Sequence, residues 1–220
     1  MKPILFNTAM VQAILDSRKT TTRRIVKGDV NDLDLIGTGS SKCNDTFDTT
    51  LFGKLDKEKV WNSDVKERVK APYMPGDVLY VRETWKQYEK RVGRGNQCHL
   101  EKFYGYKTDE SNPKNPSEFY DGNWKPSIHM PKVAARIFLK VTCVRVERLK
   151  RIEAGQCKAE GIDLGYKIEN SFDAGEYCKA FGELWDSTVN KKDIDKYSWN
   201  ANPYVWVIEF ERIEKSEVEQ

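Results

Sequence analysis

The stretch from Arg136 to Val146 constrains the fold more than any other part of the sequence. Ile137, Leu139, Val141 and Cys143 alternate with Arg136, Phe138, Lys140 and Thr142, the period-two pattern of a strand with one buried face. The apolar phase then moves to Val144 and Val146. A strand that changes its buried face part-way needs a bulge or a sharp bend, the device by which small barrels curve. A second alternating run closes the chain. Tyr204, Trp206, Ile208 and Phe210 alternate with Val205, Val207, Glu209 and Glu211, which predicts a half-buried strand over 203–213.

Helical spacing of Met10, Val11, Ile14 and Leu15 predicts a helix over 8–17, capped by Asn7 or Thr8. Thr20, Thr21 and Thr22 are β-branched and favour extended chain, so Lys19 and Thr22 fall at a helix-to-strand junction. Pro75-Gly76-Asp77 is a turn signal, and 78–85 reads as a strand. A short helix is expected at about 153–160, ended by Gly161 in a left-handed conformation. Asp173 to Glu176 opens another helix in capping-box spacing, with Tyr177, Ala180, Phe181, Leu184 and Trp185 as its buried stripe. Two polar, glycine-punctuated stretches, about 27–70 and 87–125, read as insertions with little regular structure, the first carrying a short helix near 56–69. This order does not alternate strand and helix, so a parallel nucleotide-binding sheet is not expected. The sequence predicts an α+β fold: a small mixed barrel with flanking helices, one domain over 1–213 and a charged tail at 214–220.

The balance of 39% hydrophobic and 32% charged residues suits a water-soluble globular chain. No apolar run reaches the roughly 18 residues that cross a bilayer, and the first six residues turn polar too soon for a secretory signal. A cytoplasmic protein without a membrane partner is therefore expected. Cys43, Cys98, Cys143, Cys157 and Cys178 form no C-x-x-C pair and read as reduced thiols, mostly buried. With only His99 and His129 beside them, no metal and no cofactor is expected. The net charge of +3 is mildly basic, but Arg18, Lys19, Arg23 and Arg24 cluster, as do Arg145, Arg148, Lys150 and Arg151. Such patches can meet phosphates; they can equally be solvated faces.

Several residues carry possible chemistry. A threonine hydroxyl beside a lysine can attack a carbonyl if the lysine loses its charge, which burial and cationic neighbours promote. Lys19 and Thr22 have that composition, yet the same spacing describes a surface lysine in a basic turn. Glu160 is expected at a helix C-terminus, whose partial negative charge disfavours a carboxylate and favours a held proton; an exposed glutamate with a small penalty reads the same way. Trp124 offers a stacking surface. Ser127 and His129 lie two apart and would share one side of an extended segment, as a pocket wall with a buried histidine. Arg82 and Glu83 end a strand and point opposite ways, toward a pocket or into structural ion pairs.

Seven blocks in order resemble the ASCH-domain proteins, closest to their long phage- and prophage-associated branch. They are Met1–Phe6, Arg18–Arg24, Pro75-Gly76-Asp77, Val81–Trp85, Pro126–Pro131, Ala159–Ile162 and Asn202–Phe210. The resemblance implies a PUA-like β-barrel with a pocket for a nucleoside or RNA. Small bacterial ASCH proteins are amidohydrolases that deacylate cytidine acylated on its exocyclic amine. Their Lys-x-x-Thr motif is matched by Lys19 and Thr22, and their glutamate by Glu160. By that likeness Thr22 attacks the acyl carbonyl, Lys19 takes its proton and Glu160 assists the leaving amine. Substrate contacts are expected from Arg18, Arg23, Glu83, Trp124, Ser127 and His129. The chain is about twice as long as the small amidohydrolases, and other ASCH proteins are ribonucleases or binding modules. A non-catalytic reader of RNA or modified DNA and a ribonuclease therefore stand beside the amidohydrolase.

Overall fold

A computed structural model describes residues 1–39, 48–55, 64–110 and 123–218. The chain is a mixed α+β protein that divides into two compact units. The first comprises Met1–Ser17, Asp77–Lys140 and Arg212–Gln220; the second comprises Arg18–Gly76 and Val141–Glu211.

In the first unit, β1 (Lys2–Leu5) runs parallel to β6 (Val78–Arg82), with Ile4 opposite Val81. Strand β6 pairs antiparallel with the opening residues of β9 (Phe138–Arg148). Helix α1 (Thr8–Leu15) is capped by Asn7, whose side chain accepts from the Met10 amide. The run predicted as one strand over 78–85 breaks at Glu83 and Thr84, and Trp85–Val92 begins a new strand, β7. Strand β7 pairs antiparallel with β8 (His99–Tyr106) along its whole length, from Trp85 opposite Tyr106 to Val92 opposite His99. The stretch 87–125, read as irregular, thus holds a regular hairpin. Its ladder is stitched by cross-strand pairs such as the stacked Tyr88 and Phe103 rings, whose meeting no local pattern announces. Tyr80, Trp85, Met130, Ala134, Ala135 and Phe138 form this unit's core cluster.

In the second unit, the remainder of β9, β10 (Tyr204–Ile213) and β2 (Thr21–Ile25) lie side by side in that order. Strands β10 and β2 are antiparallel, with Trp206 opposite Arg24, Val207 opposite Arg23 and Ile208 opposite Thr22. The other predicted insertion also holds strands: β3 (Asp34–Gly39), β4 (Thr49–Lys54) and β5 (Asp64–Lys70) form an antiparallel sheet. Residues 64–69 were expected to be helical; residues 56–63 of that expectation lie outside the described residues. Val65 and Val69 are four apart, a spacing that fits one face of a strand as well as a helix.

Strand β10 is more deeply covered than its alternation predicts, with Tyr204 through Ile208 all buried. On one face Val205 and Val207 join Leu149, Cys157, Tyr177, Phe181 and Trp185 in a core cluster. On the other, the Tyr204 ring meets Phe52 at 5.0 Å. The expected phase change in β9 is not a clean flip: Cys143 through Arg148 are all half-buried. Helix α2 spans Ala154–Ala159, and α3 spans Ser171–Thr188. The α3 cap is Asn170, not the Asp173 box; its side chain accepts from the Phe172 and Asp173 amides at 2.9 and 3.0 Å. Among the described residues, no helix is long and apolar enough to cross a membrane.

Candidate active site

The second unit gathers its buried charges around the C-terminus of α2. Glu160 caps that helix, and Gly161 follows at φ +97°. The Gly161 amide returns to Lys158 O and the Ile162 amide to Cys157 O, the two bonds of a Schellman motif. The Glu160 carbonyl is thereby left to an outside donor, and that donor is Lys19. The lysine is held beside it because the Thr20 amide donates to Ala159 O while Thr20 O accepts from the Phe210 amide, both at 2.9 Å.

Lys19 Nζ donates to Thr21 O at 2.7 Å, to Glu160 O at 2.8 Å and to Glu160 Oε2 at 2.8 Å. Its side chain has 0% exposure and that of Glu160 has 4%. A cation at a helix C-terminus is favourable, so Lys19 offsets the cost that the sequence assigns to a carboxylate there. Burial pushes the Lys19 ammonium below its ordinary pKa; Glu160 works against that shift, and Arg24 and Arg23 add to it.

Arg23 is the second counter-charge. Nη1 donates to Glu160 Oε1 at 3.0 Å; Nη2 donates to Glu147 Oε1 at 2.7 Å and to Gln156 Oε1 at 3.1 Å. Its Nε is buried without a hydrogen-bond partner among the described residues. Glu147 also accepts from Arg145, which pairs with Glu209. Sequence reasoning missed Glu147 and Gln156 and placed Arg145 in a basic cluster that could meet phosphates or form a solvated face. The structure instead uses Arg145 on carboxylates and Arg148 on the carbonyls of Asn202 and Asn31. The Arg145-x-Glu147 spacing on one strand face was the available signal.

Thr22 is buried at 3% exposure on β2. Alternation along the strand sets Thr22 and Arg24 on one face and Thr21 and Arg23 on the other. Lys19, Arg23 and Glu160 thus form one hydrogen-bonded cluster; Thr22 stands next to it in the chain but is not among the three acceptors around Nζ. Burial also pushes the Arg24 guanidinium down, opposed by Tyr73 and Glu160. Arg18 is exposed and donates to Gly161 O at 3.2 Å. A cleft of about 260 Å³ is lined by Leu35, Thr38, Asp48, Thr50, Arg145 and Trp206, among others. Trp206 shares its sheet face with Thr22, since Ile208, two residues on, is the Thr22 partner.

The other expected contact residues belong to the first unit. Glu83 is buried at 1% exposure in a structural network. Arg136 grips both its oxygens at 2.9 and 3.0 Å, and the Thr108 hydroxyl donates to Oε2 at 2.9 Å. Asp109 binds the remaining edge of Arg136. Burial opposes the charge of Arg136, yet Glu83 and Asp109 outweigh it and hold its pKa above the ordinary value. The guanidinium lies 3.9 Å from the Tyr106 ring centroid, and burial pushes that phenol up to about 12. Trp124 is half-buried with Lys86 Nζ 4.4 Å from its ring centroid. Ser127 and His129 occupy a single 3-10 turn, not an extended segment, and His129 is exposed, not buried. The adjacent prolines Pro126 and Pro131 bracket that turn.

Of the cysteines, Cys98 is exposed, Cys143 and Cys178 are half-buried and Cys157 is buried; Cys43 lies outside the described residues. Among the described residues, no group of three or more His, Cys, Asp or Glu side chains is placed to hold a metal ion. No protein-family model, no curated protein and no solved structure matches the chain.

Proposed function

We propose that the protein is an amidohydrolase that removes the acyl group from cytidine acylated on its exocyclic amine, and that its strands belong to a PUA-like mixed barrel of the ASCH kind. One observation carries this reading: a lysine and a glutamate, both buried, lie 2.8 Å apart, and the residue three positions after the lysine is a buried threonine. A solvent-excluded ion pair is costly, and moving one proton from Nζ to Oε2 turns it into a neutral pair. The neutral amine keeps two N–H bonds for Thr21 O and Glu160 O and gains a lone pair. Glu160, now protonated, is an acid.

The chemistry then balances. Lys19 takes the Thr22 hydroxyl proton as Oγ1 bonds to the acyl carbon. The C–N bond breaks as the proton of Glu160 goes to the departing amine. Water, deprotonated by the restored pair, hydrolyses the acyl ester and regenerates Thr22. Binding of substrate has to bring Thr22 Oγ1 within hydrogen-bond reach of Nζ. The cleft that carries Trp206 on the Thr22 face offers an aromatic wall for the base and Thr38, Thr50 and Asp48 for its polar edge.

A second reading, a non-catalytic reader of RNA or modified DNA, draws on a different observation. The Lys19 side chain is wholly covered and its three N–H groups already have acceptors, as in a structural ion pair. Acetylated cytidine incubated with the protein in EDTA, followed by ultraviolet absorbance, separates the two. Release of cytidine is expected; an unchanged spectrum removes the enzyme and leaves binding or RNA cleavage to be tested.

A further inference from the structure

The Lys19–Glu160 pair is the inner end of a longer chain of alternating charges. Lys19 meets Glu160 at 2.8 Å, Glu160 meets Arg23 at 3.0 Å, Arg23 meets Glu147 at 2.7 Å and Glu147 meets Arg145 at 3.4 Å. Arg145 in turn meets Glu209. Three cations and three anions compensate one another along it. The inner members are dry: the Arg23 side chain is 1% exposed and Glu147 is 14% exposed. The outer ones are wetter, Arg145 at 34% and Glu209 at 40%. Coulomb interactions act strongly between dry groups and are screened between wet ones.

We infer that Glu147 is a positioning residue which, acting through Arg23, sets how tightly the Lys19–Glu160 pair holds its proton, and that Arg145 links this setting to the cleft. The inference deepens the proposed function but concerns the pair itself. Arg23 divides its charge between two carboxylates. When Glu147 holds it strongly, Glu160 is left for Lys19; when Glu147 loses its charge, Arg23 turns to Glu160 and weakens the lysine's hold on its proton. Arg145 acts in the opposite sense, because it draws Glu147 away from Arg23. Arg145 also lines the cleft, so an occupant that neutralises it would alter the inner pair without touching it.

Other polar and charged groups face this chain, among them the Cys143 thiol, which hydrogen-bonds Arg145. Arg24, near Lys19, is opposed by Tyr73 and Glu160. Gln156 is neutral and accepts from both Arg23 and the Glu153 amide. Helix α2 contributes Cys157, whose thiol is pushed far up by burial and by Cys178 and so stays uncharged. From α3, the Phe181 ring centroid lies 5.8 Å from the Arg23 guanidinium. Arg18 is directed to Gly161 O.

Two substitutions test the inference with opposite expected signs. Glu147→Gln keeps one oxygen for Arg23, removes the charge and puts an amide NH2 in place of the oxygen that accepts from Arg145. Arg145→Gln removes the outer cation. Lysine-labelled protein is titrated by NMR, with Lys19→Met identifying the Lys19 side-chain resonance. The Lys19 midpoint falls by about one pH unit in Glu147→Gln and rises, by less, in Arg145→Gln. General destabilisation cannot move one midpoint in two directions. Midpoints that stay in place, or that move the same way in both variants, overturn the inference. The cytidine-release assay on the same samples keeps the questions apart. Opposed shifts without turnover retain this inference and remove the amidohydrolase; turnover with fixed midpoints does the reverse.

Discussion

Glu160 touches two cations, and its replacements separate shape from charge. Glu160→Gln keeps one oxygen, for either Lys19 or Arg23, and cannot deliver a proton; hydrolysis is expected to fall by about 10²–10⁴, read from initial rates on samples whose circular dichroism is native. Glu160→Ala leaves two buried cations uncompensated, and a loss of about 3–5 kcal/mol in denaturant unfolding is expected. Lys19 sets a pH signature. Its folded pKa lies below the unfolded 10.5, so between those values the unfolded chain holds more protons and stability rises with pH. Wild type should therefore gain melting temperature relative to Lys19→Met as pH climbs toward 10.5, and a gap that narrows contradicts a buried, charge-penalised lysine. Tyr106 has the opposite sign. Its phenol, raised to about 12, adds stability that is full below 10.0 and lost as pH passes through about 12. In an ultraviolet titration, Tyr106→Phe should remove one of the late tyrosine ionisations and leave that of Tyr166, which its hydrogen bond to Glu176 also raises to about 12.

Helices and strands were legible in the sequence where the signal was local. The Asn7 cap, the short α2 with its Gly161 stop and the β10 alternation all follow from residues within one turn or one strand. The α3 cap lies three positions earlier because Asn170 takes the Asp173 amide that the box would give to the Glu176 side chain. Asn170→Ala should cost about 1 kcal/mol in thermal unfolding. Strands β3, β5, β7 and β8 escaped detection because few of their residues are buried, and β4 because it buries the polar Thr49 and Thr50 beside Phe52. Their pairing lies in cross-strand contacts set by register. Gly182 was not singled out either. A Cβ there would lie 3.0 Å from the Trp199 ring, so in Gly182→Ala the helix gains about 1 kcal/mol of propensity only if that ring can give by a few tenths of an ångström, which thermal unfolding will show.

For the whole molecule, charge decides between a nucleoside and a polymer. A net charge of +3 gives little long-range attraction, and much of it is tied up in internal pairs such as Arg136 with Glu83 and Asp109 and Arg23 with Glu147 and Glu160. Turnover of a neutral nucleoside should scarcely change as salt rises, whereas RNA binding that uses several phosphates should weaken steeply. Stopped initial rates and a binding titration at two salt concentrations distinguish the two.

The sequence by itself determined the α+β class, the helix-to-strand junction at Lys19 and the helix end at Glu160, because propensity, capping and alternation act between residues near in the chain. The tertiary structure alone decided which side chains are hydrogen-bonded to one another. Lys19 and Glu160 are separated by 141 positions, and only the packing of α2 against β2 and β10 sets them 2.8 Å apart. It also gave Arg23 and Arg145, expected or possible contacts with ligand, carboxylate partners within the chain. A buried charge must find an opposite one, and only the folded chain specifies which is within reach.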